Sequence, residues 1–281
     1  MEQQLLEIRD QQKASWNKFS PGWKKWDNLV VDFLQPMGDE IIRLIKPSGN
    51  DLVLDIAAGT GEPGLTIATK LNGGKVIITD LAEDMLTIAR NNAAERGIQN
   101  IETVLCDACD LPFGDNTFDA ISCRFGFMFF PDMLMALKEM VRVLKPGGRI
   151  AAAVWNGPEN NFWVTAMSAA IGKYTEMPKP PAGAPGMFRC SPEGLMTGLF
   201  AQAGLKIVAQ HEVPGTMKCE TAEVYWDFTT EVVAPVVATL SKTDEATKQQ
   251  IKKDLFKVVH DKYAEGDVMI DASALVIYGE K

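Results

Sequence analysis

Gly59, Gly61 and Gly64 stand in a G-x-G-x-x-G spacing between the aliphatic run Leu52-Val53-Leu54-Asp55-Ile56 and an amphipathic stretch. Glycines so spaced after a strand and before a helix let backbone approach a polar ligand closely, which points to a nucleotide-like ligand and nothing finer. Three carboxylates stand where successive strands should end. Asp80, 21 residues after Gly59, is placed to accept both hydroxyls of a ribose. Asp107 would accept from the exocyclic amine of an adenine, with the Ala108 N–H donating to a ring nitrogen. Asp55 lies four residues before Gly59, where its charge would oppose a pyrophosphate but attract an α-amino group. The sign of charge therefore favours S-adenosylmethionine over a dinucleotide.

Holding these acids in a row requires a parallel sheet. From residue 51 to 154 short apolar runs alternate with longer amphipathic ones, the pattern of strands covered by helices. The expected strands are 52–56, 75–79, 101–105, 118–123 and 149–154, followed by 205–213 and 269–278. Helices are expected from Gly64 to Leu71, from Glu83 to Arg96 before Gly97, and after Asp132 as cap. Others should cover 160–173, open at Ser191-Pro192-Glu193 and close at Gly204, and fill 221–240 and 244–263, with Pro235 breaking the first of that last pair. Residues 177–188 carry four prolines and two glycines and read as a loop of the kind that covers a site.

At the N-terminus Trp16, Phe19, Trp23 and Trp26 crowd a segment that Ser20-Pro21-Gly22 should break. These aromatics could close over a cation and its neighbour, or simply pack the segment onto the domain. Tyr225-Trp226-Asp227-Phe228 offers a similar wall, and the aromatic content suggests an apolar, planar small-molecule acceptor. His211, near the end of the sixth strand, is the candidate general base, whereas His260 sits in a charged helix and reads as solvated.

The 281 residues are long enough for one large domain or two small ones, and 46% apolar with 23% charged residues describes an ordinary globular chain. A net charge of -9 argues against nucleic acid and anionic membrane as partners. No apolar run reaches the roughly 18 residues of a bilayer span, and acidic residues near the start oppose a signal peptide, so a cytoplasmic location without membrane insertion is expected. Five cysteines, with one lone Cys106-x-x-Cys109 pair and two histidines, suggest buried thiols and no metal site.

The residues 53–61, VLDIAAGTG, are similar to the glycine-rich motif of the class I S-adenosylmethionine-dependent methyltransferases. Cys106-Asp107-Ala108 leading to Leu111-Pro112-Phe113-Gly114-Asp115-Asn116-Thr117-Phe118-Asp119, and Arg142-Val143-Leu144-Lys145-Pro146-Gly147-Gly148-Arg149, extend the likeness. Ala57 in place of the first glycine, and Phe125-Gly126 after strand four, resemble the ubiquinone/menaquinone-biosynthesis C-methyltransferase-like (methyltransferase type 11) proteins. The resemblance covers about residues 51–155. It implies a Rossmann-like α/β sheet of order 3-2-1-4-5-7-6 with the last strand antiparallel. Outside the resemblance, an N-terminal helical segment (1–50) is expected to close the site of a domain spanning 51–281, and insertions at about 156–190 and 217–266, which are not those of the quinone enzymes, are expected to form helical caps. The resemblance further implies that Asp55, Ala57, Gly59, Gly61, Asp80, Leu81, Met85, Asp107, Ala108, Arg124 and Phe125 hold S-adenosylmethionine, with Asp55 on the amino group and Arg124 near the methionine carboxylate or the substrate. The implied activity is C- or O-methylation of a small organic acceptor, leaving S-adenosylhomocysteine. A nicotinamide-dependent oxidoreductase and a non-catalytic S-adenosylmethionine-binding module are the alternatives.

Overall fold

Strand β1 (Leu52–Ile56) lies at the centre of a seven-stranded sheet, buried along nearly its whole length as its unbroken aliphatic run demands. The computed structural model describes residues 3–177, 181, 183–264 and 266–281. The other strands are β2 (Lys75–Asp80), β3 (Ile101–Leu105), β4 (Phe118–Arg124), β5 (Leu144–Trp155), β6 (Lys206–Glu220) and β7 (Val268–Glu280). Their order is β3-β2-β1-β4-β5-β7-β6, with β3 through β5 parallel and β7 antiparallel to both its neighbours, as expected from the sequence.

Ten helices are described: α1 (Gln3–Lys25), α2 (Asp27–Ile45), α3 (Gly64–Lys70), α4 (Glu83–Glu95), α5 (Met133–Val143), α6 (Phe162–Ile171), α7 (Leu195–Gln202), α8 (Ala222–Val232), α9 (Ala234–Leu240) and α10 (Glu245–Lys262). Asp132 caps α5 by accepting from the Met135 N–H, and Ala136, Leu137, Met140 and Val143 bury one stripe of it. Each of the larger side chains in that stripe contributes about 1.5–3 kcal/mol on leaving water, and the cap about 1 kcal/mol. α2 packs across β4 to β6 through Phe33, Met37 and Ile41, all nearly inaccessible. This places its first turn at the C-terminal ends of β4 and β5.

Several boundaries differ from the sequence expectation for identifiable reasons. α1 runs through Ser20-Pro21-Gly22 to Lys25 instead of breaking there. The absence of a Gly22 side chain matters, because a Cβ would stand 2.8 Å from the Glu231 carbonyl oxygen of α8. Ser191-Pro192 does not open α7, which starts at Leu195 after Gly194 takes a left-handed φ of 75°. β6 continues through Pro214 to Glu220, so the second cap begins later than residue 217. Proline is tolerated there because β6 is an edge strand. The proline-rich loop lies partly outside the described residues, at 178–180 and 182.

Candidate active site

The three carboxylates do end adjacent strands, but each is engaged differently. Asp80 Oδ2 accepts from the Gly59 N–H at 2.9 Å and Oδ1 from the Ala82 N–H at 2.9 Å, so this acid clamps the glycine loop to the start of α4. Burial raises its pKa, against the pull of these N–H groups. Asp107 Oδ1 accepts from the Cys109 N–H at 2.9 Å, while Oδ2 is buried without a hydrogen-bond partner. An unpartnered buried carboxylate oxygen is costly, and a donor from outside the chain would relieve it. A cavity of about 500 Å³ lies beside it, lined by Leu6, Arg9, Leu105 and Cys106 among others.

Asp55 is fully buried, Oδ1 accepting from the Ser122 hydroxyl at 2.6 Å and Oδ2 from the Gly64 N–H at 2.8 Å. Burial pushes its pKa to about 7, despite the opposing pull of Ser122, Gly64 and Arg124. The expectation that Asp55 grips an ammonium directly is therefore corrected: with no exposed surface, it pins the glycine loop to β4 and acts on a ligand only through its charge. A Cβ at Gly64 would lie 2.6 Å from Asp55 Oδ2 and 3.2 Å from Ile78 Cγ1. Gly64→Ala is expected to destabilise the fold by about 1–3 kcal/mol, lowering Tm by several degrees in a thermal melt.

Around these acids the backbone is arranged for close approach. Gly59 has φ 57° and open space where its Cβ would be, and Gly61 has φ 114° with Leu65 at 2.8 Å from that position. Two residues that are not glycine share the left-handed region at neighbouring strand ends, Ala57 (φ 53°) after β1 and Phe125 (φ 63°) after β4. Each such conformation costs about 1–3 kcal/mol and tends to be kept where a site needs it. Leu81 is partly exposed and Ala108 nearly buried, whereas Met85 is 2% exposed and belongs to the core beneath α4. Met85 packs into the core on the buried face of α4.

α1 crosses over this edge of the sheet. Near its start Leu6 and Arg9 line the cavity beside Asp107, and in its middle the Asn17 side chain accepts from the Asp84 N–H at the start of α4. Trp16 meets Phe129 edge-on at 5.1 Å and Trp23 at 5.9 Å. At its end, Glu231 of α8 accepts from Lys25 at 2.7 Å and from the Trp26 indole N–H at 2.8 Å. Just after β4, Phe125 stacks on Trp155 at 4.2 Å, and Trp155 packs against Trp163 at 5.0 Å and Phe33 at 5.7 Å.

His211 is not brought here. It pairs across β7 with the level of Ala153, three strands from β4 or roughly 14 Å at 4.8 Å per strand, and its half-exposed ring faces Glu40 of α2 at 3.8 Å. The edge position of β6 follows from the expected strand order, but the approach of Glu40 to this ring comes from the packing of α2 on β6, which has no local signature. The thiols of Cys106 and Cys109 are both pushed up to about 12 by burial, which leaves them protonated and unreactive. Sequence reasoning missed Asn17, Asp27, Asn92 and Glu231, whose roles come from helices meeting in space with no local signature.

A Rossmann-like sheet of this order, with a glycine loop clamped by a strand-end acid, defines the class I S-adenosylmethionine-dependent methyltransferases. Within that class the chain belongs to the ubiE/COQ5 methyltransferase family, whose family model matches residues 31–180, more than half its length. It is similar to the demethylmenaquinone methyltransferase of Bacillus subtilis (strain 168), 29% identical over 217 residues covering 70% of this chain and 91% of that protein. The enzyme of the same name from Listeria monocytogenes serotype 4a is 31% identical over 156 residues, 55% of this chain, and the chain spans 66% of the length of that relative. Among solved structures, the YcgJ protein of Bacillus subtilis aligns with a TM-score of 0.58 at 20% identity, covering 87% of this chain and 97% of that one. A phosphoethanolamine N-methyltransferase of Haemonchus contortus, solved with S-adenosylhomocysteine, aligns with a TM-score of 0.52 at 16% identity over 87% of this chain and 52% of that one. These two likenesses concern the fold. Family membership also removes the nicotinamide-dependent alternative.

Proposed function

We propose that the chain transfers a methyl group from S-adenosylmethionine to a small, planar aromatic acceptor, at carbon or oxygen. The unpartnered Asp107 oxygen, the open space at Gly59 and the paired strand-end acids fit the donor. Asp80 would hold its ribose, Asp107 with the Ala108 N–H its adenine, and the Gly59–Gly61 backbone would lie against its methionine portion. When bound, S-adenosylmethionine supplies a methyl group on a sulfonium, the leaving group being S-adenosylhomocysteine.

The single observation behind the acceptor reading is the set of half-buried rings just after β4, Phe125 backed by the buried Trp155 and Phe129 met edge-on by Trp16 of α1. Faces of this kind hold a flat apolar ring by offset stacking and exclude water from it. The contribution of these side chains is to fix the acceptor's orientation; in-line displacement gains most from such positioning, and no basic side chain is required. The demethylmenaquinone methyltransferases to which the chain is similar are named for a quinone, and a quinol is accordingly the first acceptor to try. Incubation with methyl-labelled S-adenosylmethionine and separate phenol, quinol, aliphatic amine and carboxylic acid panels tests the reading. Label is expected in the aromatic panels alone. Turnover confined to aliphatic amines would refute the aromatic acceptor.

A further inference from the structure

α10 packs on α6 and α8, and Ile251, Leu255 and Val259 form its fully buried stripe. Its other face is basic. Gln249, Lys252, Lys253, Phe256, Lys257 and His260 recur at i, i+3, i+4, i+7, i+8 and i+11, so they share one stripe turned from the core. Lys253, Lys257 and His260 are exposed, and Lys252 and Phe256 half-buried. Neighbouring cations are neutralised, Lys173 by Asp254, Lys248 by Glu245 and Lys262 by Asp271. Among the described residues Lys252, Lys253 and Lys257 make no ion pair within 4.0 Å. Lys252 Nζ lies over two half-buried rings, Trp226 of α8 at 5.7 Å and Phe256 at 5.3 Å.

A stripe of unpaired lysines is out of keeping with a chain of net charge -9. That net charge opposes an anionic partner only where its field is felt. Screening confines the field to a Debye length of about 8 Å at physiological salt, whereas a folded chain of this length has a radius of gyration of about 19 Å. Acids on the far side of the domain therefore do not cancel the stripe. The exposed acids adjoining it are Asp261 on α10, and Glu223 and Asp227 on the turns of α8 that carry Trp226.

Lysines standing over half-buried rings match the boundary of an anionic bilayer. Aromatic rings sit at headgroup level there, and a lysine reaches phosphate while its stem covers apolar surface. A protein partner suits the stripe less, because lysine is depleted from protein–protein interfaces. Single-stranded nucleic acid is held in grooves, and the stripe is the outer ridge of a helix. We infer that the basic stripe of α10, with Trp226 beside it, docks the chain on an anionic phospholipid surface, a peripheral contact of lysines and rings with headgroups. The inference goes beyond the methyltransferase reading and does not depend on it.

Sedimentation of the full chain with vesicles tests it, phosphatidylcholine alone being compared with equal parts of phosphatidylcholine and phosphatidylglycerol. The unaltered chain is expected to bind the anionic vesicles and not the neutral ones, and to bind less as salt rises. Lys252→Gln, Lys253→Gln and Lys257→Gln together are expected to weaken binding about a hundredfold, since each lysine at such a surface contributes roughly fivefold. Lys46→Gln, Lys70→Gln and Lys138→Gln together change the net charge equally at exposed positions elsewhere, and are expected to alter binding less than about threefold. An unchanged circular-dichroism melt in both triple variants excludes unfolding as the cause. Equal weakening by the two would reduce the effect to net charge and overturn the docking face. Absence of binding to the anionic vesicles at low salt would overturn it outright, and retention of a single-stranded oligonucleotide by the same lysines would then assign the stripe to nucleic acid. Failure of the methyltransferase reading would show separately, as absence of adenosyl-ligand binding.

Discussion

Replacing Asp80 with Ala is expected to raise the dissociation constant for S-adenosylhomocysteine roughly a hundredfold, measured by calorimetry. A hydrogen bond to a charged group contributes about 1.5–3 kcal/mol, and a ribose offers two hydroxyls to this carboxylate; a net loss of about 3 kcal/mol corresponds to that factor. The substitution also releases the Gly59 and Ala82 N–H groups, which Asp80 holds at 2.9 Å each, so the loop that should lie against the methionine portion loses its tether. A circular-dichroism melt separates this from unfolding. Affinity within about threefold of the unaltered protein would remove Asp80 from the site.

The second large effect concerns Asp55 and pH. Its carboxyl, raised from 3.8 to about 7 by burial, binds a proton more readily in the folded chain than in the unfolded one. The folded state therefore carries more protons between those values, and stability falls as pH rises from about 4 through about 7, levelling beyond. The slope is bounded by about 1.4 kcal/mol per pH unit. Burial raises Asp27 and Asp80 as well, which adds to the same trend in the ligand-free protein. Asp55→Asn, which can still accept from the Gly64 N–H, is expected to flatten the curve obtained by urea unfolding at pH 5, 6, 7 and 8. Identical slopes for variant and parent would show that Asp55 is not the titrating group.

The sheet was legible because its strands are local: β1 is one aliphatic run, and Asp80 and Asp107 fall where such runs end. The cap at Asp132 was equally readable from side chain and position, and Thr221 and Asp244, where two further helices were expected to start, cap α8 and α10 in the same way, each accepting from the N–H three residues on. What could not be read depends on tertiary approach. Gly22 lets α1 lie close against α8, at a pairing more than 200 positions apart in the chain. His211 looked suitable by its place near the end of a strand, but α2 packs on that edge strand and sets Glu40 3.8 Å from the ring. Asp55 has the right type and spacing for an ammonium ligand, and only its burial shows that the carboxylate faces Ser122 and Gly64 instead.

The central claim is that this cleft accepts an adenosyl ligand carrying an amino-acid end. Calorimetric titration of the purified chain with S-adenosylmethionine, S-adenosylhomocysteine, NAD and NADP in parallel tests it most directly. The account predicts micromolar-range binding of the first two and none of the nicotinamide nucleotides. Binding of NAD or NADP alone would contradict it.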